Sequence, residues 1–395
     1  MISRRFISLP IICALSFAIA GCVTVPRASF TAGEEASAAP AGFGEIRYRP
    51  DDPGLAAMLL RTLKPDVEGY LDALAISGGG ANGAYAAGVL NGWTRNGHRP
   101  AFQLVTGVSS GALTAPFAFL GPDWDPMLRR AYLADEAQKV LQGRGAAVLL
   151  TPGVYNKKPL ESLVHSYITD DMLHAIAVEH AKGRRLLVAT TNLDTGQLVV
   201  WDMGAIAARG GPDARKLFEQ VLVASASIPG LFAPSMIEVQ SAGRTITEMH
   251  VDGETDSAFF VVPQTVLLTN APALPRFIVR LFVIVNARLN SQFKVTPDKT
   301  IPILGRALDT VVKGSVRSEL ISIFEFCRLN ACDLQVASLP ENTDDAAFDF
   351  KGDHLRNLFE AGDAAAAQGS AWSKEAGLAG TAPSSVPTGA GSAKR

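Results

Sequence analysis

The 395-residue sequence is short of charge, short of cysteine and without an excess of either charge sign. Charged residues make up 19% against 48% hydrophobic, too apolar for a chain disordered throughout and enough for a large buried core. Lys and Arg number 36, Asp and Glu 38, a formal net charge of −2. That balance excludes a nucleic-acid binder held by overall positive charge, and it offers no bulk attraction to an anionic membrane. Four cysteines, in no C-x-x-C and no Cys/His zinc spacing, leave no basis for a metal site, and no cofactor is expected. Internal repeats on the scale of roughly 20–50 residues are absent. After residue 22 no stretch reads as a membrane helix. The apolar region 259–285 is broken by Pro263, Pro272, Pro275, Arg276 and Arg280.

The beginning of the chain is different. Arg4 and Arg5 precede an apolar run, 6–20, that ends at Gly21 and Cys22. The run contains Pro10 and is short of the roughly 20 residues that span a bilayer, so it reads as a secretory signal. Ile19-Ala20-Gly21-Cys22 resembles the bacterial lipobox, which implies cleavage of residues 1–21 and acylation of Cys22. The alternative is an ordinary signal peptide with an incidental cysteine. Loss of the two arginines leaves a mature charge of −4. Val23, rather than Asp, follows the cysteine; by analogy this points to a cell-envelope lipoprotein on the outer membrane, facing the periplasm. Cys327 and Cys332 remain, as a disulfide or as two buried thiols. Residues 22–44, rich in Ala, Gly, Ser and Pro, read as a flexible tether, residues 45–372 as the folded body and residues 373–395 as a disordered tail.

Within the body, short apolar runs alternate with helical periodicity. Strands are expected at 71–77, 102–106, 185–191, 197–201, 245–251 and 277–285. Helices are expected at 84–96, 110–120, 126–141, 170–182, 303–326 and 355–368, with Pro116 kinking or ending the second of them. Such alternation argues for an α/β fold with a mostly parallel central sheet between helices.

Three local strings bear on chemistry. Gly78-Gly79-Gly80-Ala81-Asn82-Gly83 follows a strand and opens a helix. Gly78, Gly80 and Gly83 fit G-x-G-x-x-G, but residues 102–107 carry no acid for a ribose, and no Gly-Lys-Ser/Thr makes a P-loop. The other reading is an oxyanion loop of Gly78, Gly79 and Gly80, whose N–H groups can be approached because no Cβ intervenes. Gly107-Val108-Ser109-Ser110-Gly111 is G-x-S-x-G between a strand and an apolar helix, which makes Ser109 the candidate nucleophile. For its base, none of His98, His165, His174, His180, His250 or His354 sits in a catalytic string, although His354 fits the chain order Ser, Asp, His. Asp252-Gly253 ends a strand and, taken alone, is equally a plain turn; Asp194 and Asp202 are competing acids.

Together with 224–234, Ala-Ser-Ala-Ser-Ile-Pro-Gly-Leu-Phe-Ala-Pro, these strings stand in the order found in the patatin-like phospholipases, and the sequence resembles that family over about 71–253 as a lipoprotein-type bacterial member. The resemblance implies a patatin-like three-layer α/β fold and a Ser–Asp dyad, without a metal. Carried over, Ser109 is the nucleophile, Asp252 the base, and Gly78, Gly79 and Gly80 the oxyanion loop. The implied substrate is a phospholipid or other acyl ester, cleaved through an acyl-enzyme, with the membrane reached through lipidated Cys22. The alternatives are acyl transfer at the same site and a noncatalytic lipid-binding lipoprotein. Two positions depart from the family: many members have a basic residue where this chain has Asn82, and a small residue where it has Glu254.

Overall fold

The computed structural model describes residues 27–141, 153–261, 278–290, 293, 295–330 and 332–374. The expected signal, Cys22 and the tail from 375 onward lie outside the described residues. Two compact units are distinguished, one of Met1–Ala41 with Glu238–Thr247, the other of Gly42–Ile237 with Glu248–Arg395.

In the first unit, part of the expected tether is structured. Ala32–Ala36 is a short helix closed by a reciprocal capping box, in which Thr31 accepts from the Glu34 N–H and the Glu34 carboxylate accepts from the Thr31 N–H. Ala39 then bridges Gln240 in antiparallel fashion. Within 22–44, read from the sequence as a flexible tether, these residues thus carry a capped helical turn and a backbone bridge.

Among the described residues nine strands form one sheet: β1 (Arg47–Tyr48), β2 (Tyr70–Ile76), β3 (Leu104–Val108), β4 (Arg185–Asn192), β5 (Gln197–Asp202), β6 (Ser235–Ser241), β7 (Arg244–Asp252), β8 (Ile278–Val285) and β9 (Asp333–Ser338). Their spatial order is β1-β5-β4-β3-β2-β8-β9, with β7 also on β4 and β6 on β7. The run β4-β3-β2-β8-β9 is parallel, while β5 and β7 meet β4 antiparallel. The α/β architecture with a mostly parallel sheet between helices is thus as expected.

Alternation along the strands explains the two helical layers. Ala73, Ala75, Leu187, Leu281 and Val283 share one apolar cluster with Leu55 and Leu59 of the helix Pro53–Thr62 and with Val316 and Leu320 of the long helix Thr300–Asn330. Phe282 turns to the opposite face, where its ring lies 4.9 Å from Trp93 of the helix Gly83–Asn96. Cys327, near the end of the long helix, and Cys332 are joined as a disulfide, the arrangement that sequence left open.

Several boundaries differ from expectation. Strand β3 begins at Leu104 rather than 102, because Gln103 gives its N–H to Asp72 O before the register with β2 and β4 starts. The helix expected over 126–141 is Asp125–Leu133; Ala134 is extended and interrupts it before a short turn, Asp135–Gln138. Pro116 neither ends nor splits its helix, which runs Ser110–Leu120. Nearly every residue of that helix is buried, and this packing outweighs the roughly 3 kcal/mol cost of an interior proline.

Candidate active site

The sharpest backbone feature of the second unit is Ser109, with φ 55 and ψ −125, between the last residue of β3 and the helix Ser110–Leu120. A non-glycine residue there is strained by roughly 1–3 kcal/mol. Its surroundings hold it in place. A Cβ at Gly107 would press on the carbonyl of Gly111, and one at Gly111 would collide with the carbonyl of Ile76, so both glycines of the motif are required for the elbow to pack against β2. The Ser109 N–H donates to Ser225 Oγ at 3.0 Å, and Ser225 Oγ donates to Ala189 O of β4 at 2.7 Å.

Asp252 arrives from the opposite direction, as the last residue of antiparallel β7, paired with Thr190 of β4. It is both strand end and turn: its Oδ1 accepts the Glu254 N–H at 2.9 Å and caps the short 3-10 turn Gly253–Thr255. The other oxygen, Oδ2, accepts from Ser109 Oγ at 2.5 Å. The Asp252 N–H is fixed on Ser227 O at 3.0 Å. Both Ser109 and Asp252 are buried. Burial pushes the Asp252 carboxyl up to about 7, against the Ser109 hydrogen bond, which pulls it down.

The glycine loop lies after β2. Gly79 and Gly80 have φ of 143 and 56, conformations that suit glycine, and a Cβ at Gly79 or Gly80 would run into the carbonyl of Asn286 or Ala347. The Gly78 N–H faces Ala258 O at 3.4 Å and the Ala81 N–H goes to Ala347 O at 2.8 Å. Among the described residues the Gly79 and Gly80 N–H groups have no acceptor, which sets them apart from Gly78 within the expected trio. Asn286, just past β8, braces the loop. Its Nδ2 donates to Ser77 O at 2.8 Å, its N–H to Ser77 Oγ at 2.9 Å, and its Oδ1 accepts the Ala86 N–H at 3.1 Å.

Two pockets meet at this loop. One is apolar and is lined by Ser109, Leu113, Phe117, Leu160, Val164 and Leu222, among others. The other is lined by Gly78, Gly79, Asn82, Asp252, Glu254 and Lys313 among others, and both include Gly80, Ile228 and Phe348. Glu254 lies against Gly78 Cα, so that a Cβ there would overlap its carboxyl group. Burial first, then the charges of Asp252 and Glu319, raise the Glu254 carboxyl well above the ordinary carboxylate value.

Among the described residues no histidine hydrogen-bonds to Ser109. His250 is buried with Nδ1 on Thr190 Oγ1 at 2.9 Å and Nε2 on Glu248 at 3.1 Å. His354 lies in the first turn of the helix Gly352–Ala367. The competing acids have other partners: Asp202 caps the helix Met203–Arg209 and Asp194 accepts the Met249 N–H. Ser225 and Asn286 were not singled out by sequence reasoning. Ser225 stood within the quoted string 224–234, but nothing there told which of its hydroxyls reaches the elbow; for Asn286 a polar residue closing an apolar strand was the available signal.

A parallel sheet, a glycine turn at the end of one strand and a serine held on a strained strand–helix elbow define an α/β ester hydrolase. Residues 74–268 match the family described as patatin-like phospholipase. Over that segment, just under half of the chain, the sequence is similar to the patatin-like phospholipases, and the protein is an enzyme of the carboxylic ester hydrolase type. No curated protein matches the chain. Among solved structures it is similar to VipD from Legionella pneumophila, at 14% identity and TM-score 0.32, covering 74% of this chain and 67% of that one. It is also similar to human GIVD cytosolic phospholipase A2, at 12% identity and TM-score 0.39, covering 80% of this chain and 62% of that one. The chain thus spans about two thirds of the length of these structures.

Proposed function

We propose that the protein is a serine acyl hydrolase that cleaves fatty-acyl esters, of the phospholipase A or lysophospholipase type, through a Ser109–Asp252 dyad and an acyl-enzyme. The observation that carries this reading is the 2.5 Å hydrogen bond from a strained Ser109 to a buried Asp252, at the junction of two largely apolar pockets. Ser109 Oγ attacks the ester carbonyl carbon and its proton passes to Asp252 Oδ2. An Asp held near neutrality by burial is a far better base than one at its ordinary value of about 3.9. The carbonyl oxygen takes up negative charge beside the Gly79 and Gly80 N–H groups. As the carbonyl re-forms, the C–O bond to the alcohol breaks and the alcohol leaves with the proton from Asp252. Water then repeats the sequence: Asp252 takes its proton, the hydroxide oxygen attacks the acyl carbon, and Ser109 leaves reprotonated with the free acid released. The apolar pocket holds the acyl chain.

Attachment to the membrane through acylated Cys22 is part of the same proposal and rests on the Ile19-Ala20-Gly21-Cys22 string. Among the described residues no helix is long and apolar enough to cross a membrane. Acyl anchors hold stably when two or more chains act together. Cys22→Ser is expected to lose the lipid by intact mass and to leave the membrane fraction; firm retention there overturns the anchor.

The test of the activity is labelling by a long-chain fluorophosphonate together with hydrolysis of matched acyl esters. Wild type is expected to label at Ser109 and release fatty acid. A folded wild type that neither labels nor hydrolyses any acyl ester overturns the reading in favour of a noncatalytic lipid binder.

A further inference from the structure

The pocket beyond the glycine loop presents a carbon surface although polar residues stand in its wall. Asn82, Asn286, Asp309, Lys313 and Asp345 all line it, and their polar ends are turned on one another or on the backbone. Lys313 Nζ lies 2.7 Å from Asp345 and 2.9 Å from Asp309. Asn82 Nδ2 donates to Asp345 at 2.7 Å, and Asn286 Nδ2 to Ser77 O at 2.8 Å. What is left toward the cavity is mainly the hydrocarbon of Ile228, Leu308, Val311, Val312, Val316 and Phe348. A charged head group placed there would lose its hydration and meet a lysine already held by two carboxylates, which is strongly unfavourable. A hydrocarbon chain would lose nothing and leave water.

The position of this pocket relative to the dyad says which chain. Ser109 lines the first pocket and Asp252 lines this one. Both include Gly80, Ile228 and Phe348, so they diverge from a common ridge beside the reacting atoms. They are also alike in size, about 900 Å³ and about 1000 Å³ with their open mouths included, at the upper end for small-molecule sites. Phe348 is fixed on the ridge through its neighbour, because Ala347 O accepts the Ala81 N–H of the glycine loop at 2.8 Å. In an ester the acyl and alcohol halves extend from the carbonyl carbon in different directions, and here the alcohol leaves with the proton from Asp252. With the acyl chain on the Ser109 side, the alcohol half faces the Asp252 side, and that side is apolar too. Resting on the assignment of Ser109 as nucleophile, we propose that this second pocket holds a hydrocarbon chain carried by the alcohol half. The preferred substrate is then a two-chain ester of the diacyl-lipid kind rather than a single-chain one, with any polar head group left at the mouth in water.

The experiment uses the full-length protein and the hexanoyl esters of ethanol, butanol and hexanol, each kept below its solubility limit. The acyl half is then constant, and no micelle competes for the alcohol chain. Wild-type kcat/KM is expected to rise at least about tenfold from the ethyl to the hexyl ester, because each added methylene moves from water into the pocket while the leaving oxygen is chemically the same. Two variants fill the pocket from the helix Thr300–Asn330: Val312→Trp at a half-buried position, and Val311→Trp at one 69% exposed, where the larger ring displaces no core. Each is expected to reduce the hexyl-to-ethyl ratio to about threefold or less. Leu113→Trp, in the wall of the first pocket, is expected to slow all three esters by a similar factor and so to keep the ratio. A wild-type kcat/KM that is flat or falls with alcohol length, or a ratio that survives in both Val311→Trp and Val312→Trp, overturns the second-chain site while leaving Ser109 in its role. Absence of turnover with all three esters overturns the hydrolase reading along with it.

Discussion

Ser109 and Asp252 are the two ends of one hydrogen bond, yet the protein prepares them by opposite means. At Ser109 the cost is in the backbone: φ 55 and ψ −125, a conformation held by close packing of Gly107 and Gly111 and by the Ser225 hydroxyl. At Asp252 the backbone is ordinary, φ −50 and ψ 134, and the cost is electrostatic. Raising its carboxyl from 3.8 to about 7 corresponds to something on the order of 4 kcal/mol, comparable with or larger than the roughly 1–3 kcal/mol of the elbow. A strained elbow orients an oxygen; a buried carboxylate supplies basicity. Neither kind of preparation substitutes for the other.

The largest expected effect breaks the pair outright. Ser109→Ala and Asp252→Asn are each expected to lower kcat for ester hydrolysis by about 10⁴-fold or more, and the double variant to be scarcely worse than either, because the two act as one unit. Their stabilities should separate the two kinds of cost. Asp252→Asn removes a buried ionisable group and is expected to melt above wild type at pH 8, whereas Ser109→Ala leaves the strained backbone in place and gains little. If Asp252→Asn hydrolyses esters at the wild-type rate, the dyad is wrong.

The same contrast governs what was legible in the sequence. The elbow needs glycine at fixed offsets from the serine, so its cost is written into five consecutive residues, and Ser109 was readable in advance. So was the glycine turn, although not that Gly79 and Gly80 rather than Gly78 take positive φ. What raises Asp252 is burial at the end of β7 against β4, with residues more than 50 positions apart in sequence, and no local string encodes that. Asp252-Gly253 alone remained as good a turn as a site. Proline 116 misled for a similar reason: local propensity predicts a broken helix, and tertiary packing carries the helix through. β1 went unread because it is two residues long and only its pairing with β5 makes it a strand; β6 and β9, longer than β3, were missed although β6 alternates buried and exposed residues.

Intermediate effects sharpen the comparison. Ser225→Ala leaves the Ser109 N–H and Ala189 O without their shared hydroxyl, in a fully buried place. Loss of about 1–3 kcal/mol of positioning predicts a kcat about 5- to 150-fold lower, with KM little changed, and Ser225→Thr should restore part of it. The electrostatic end is probed by pH. Activity requires ionised Asp252, so kcat/KM is expected to rise about tenfold per pH unit below about 7 and to level off above it. Stability runs the other way. Asp252 has a folded value above its unfolded one, so its contribution is complete below about 3.8 and is lost as pH rises through about 7. Melting scans from pH 4 to 9 should therefore fall less steeply for Asp252→Asn than for wild type. An activity profile already flat at pH 5 would show that the base ionises normally and that burial does not prepare it.

The smallest expected effect is the most decisive against the rival arrangement, a Ser–His triad. His354 follows Ser109 and Asp252 in the order such a triad requires, and its Nε2 is buried without a partner among the described residues, so it has a nitrogen to spare. His250 has none: Thr190 and Glu248 hold both ring nitrogens, and the Glu248 carboxylate is in turn paired with Arg47 at 2.6 Å. His250→Ala opens a buried hole in that network and is expected to lower the melting temperature; its activity therefore reports on the fold as much as on the site. His354→Ala is cleaner. The residue is half-buried in the first turn of a helix, where its side chain makes no hydrogen bond from Nε2 that the fold must replace. With Asp252 Oδ2 already 2.5 Å from Ser109 Oγ, the proton has an acceptor in place, and a further base adds nothing. His354→Ala is expected to keep kcat/KM within about twofold of wild type, with an unchanged pH midpoint. A loss comparable to that of Ser109→Ala, at an unchanged melting temperature, would transfer the role of base from Asp252 to His354 and reduce the carboxylate to its partner.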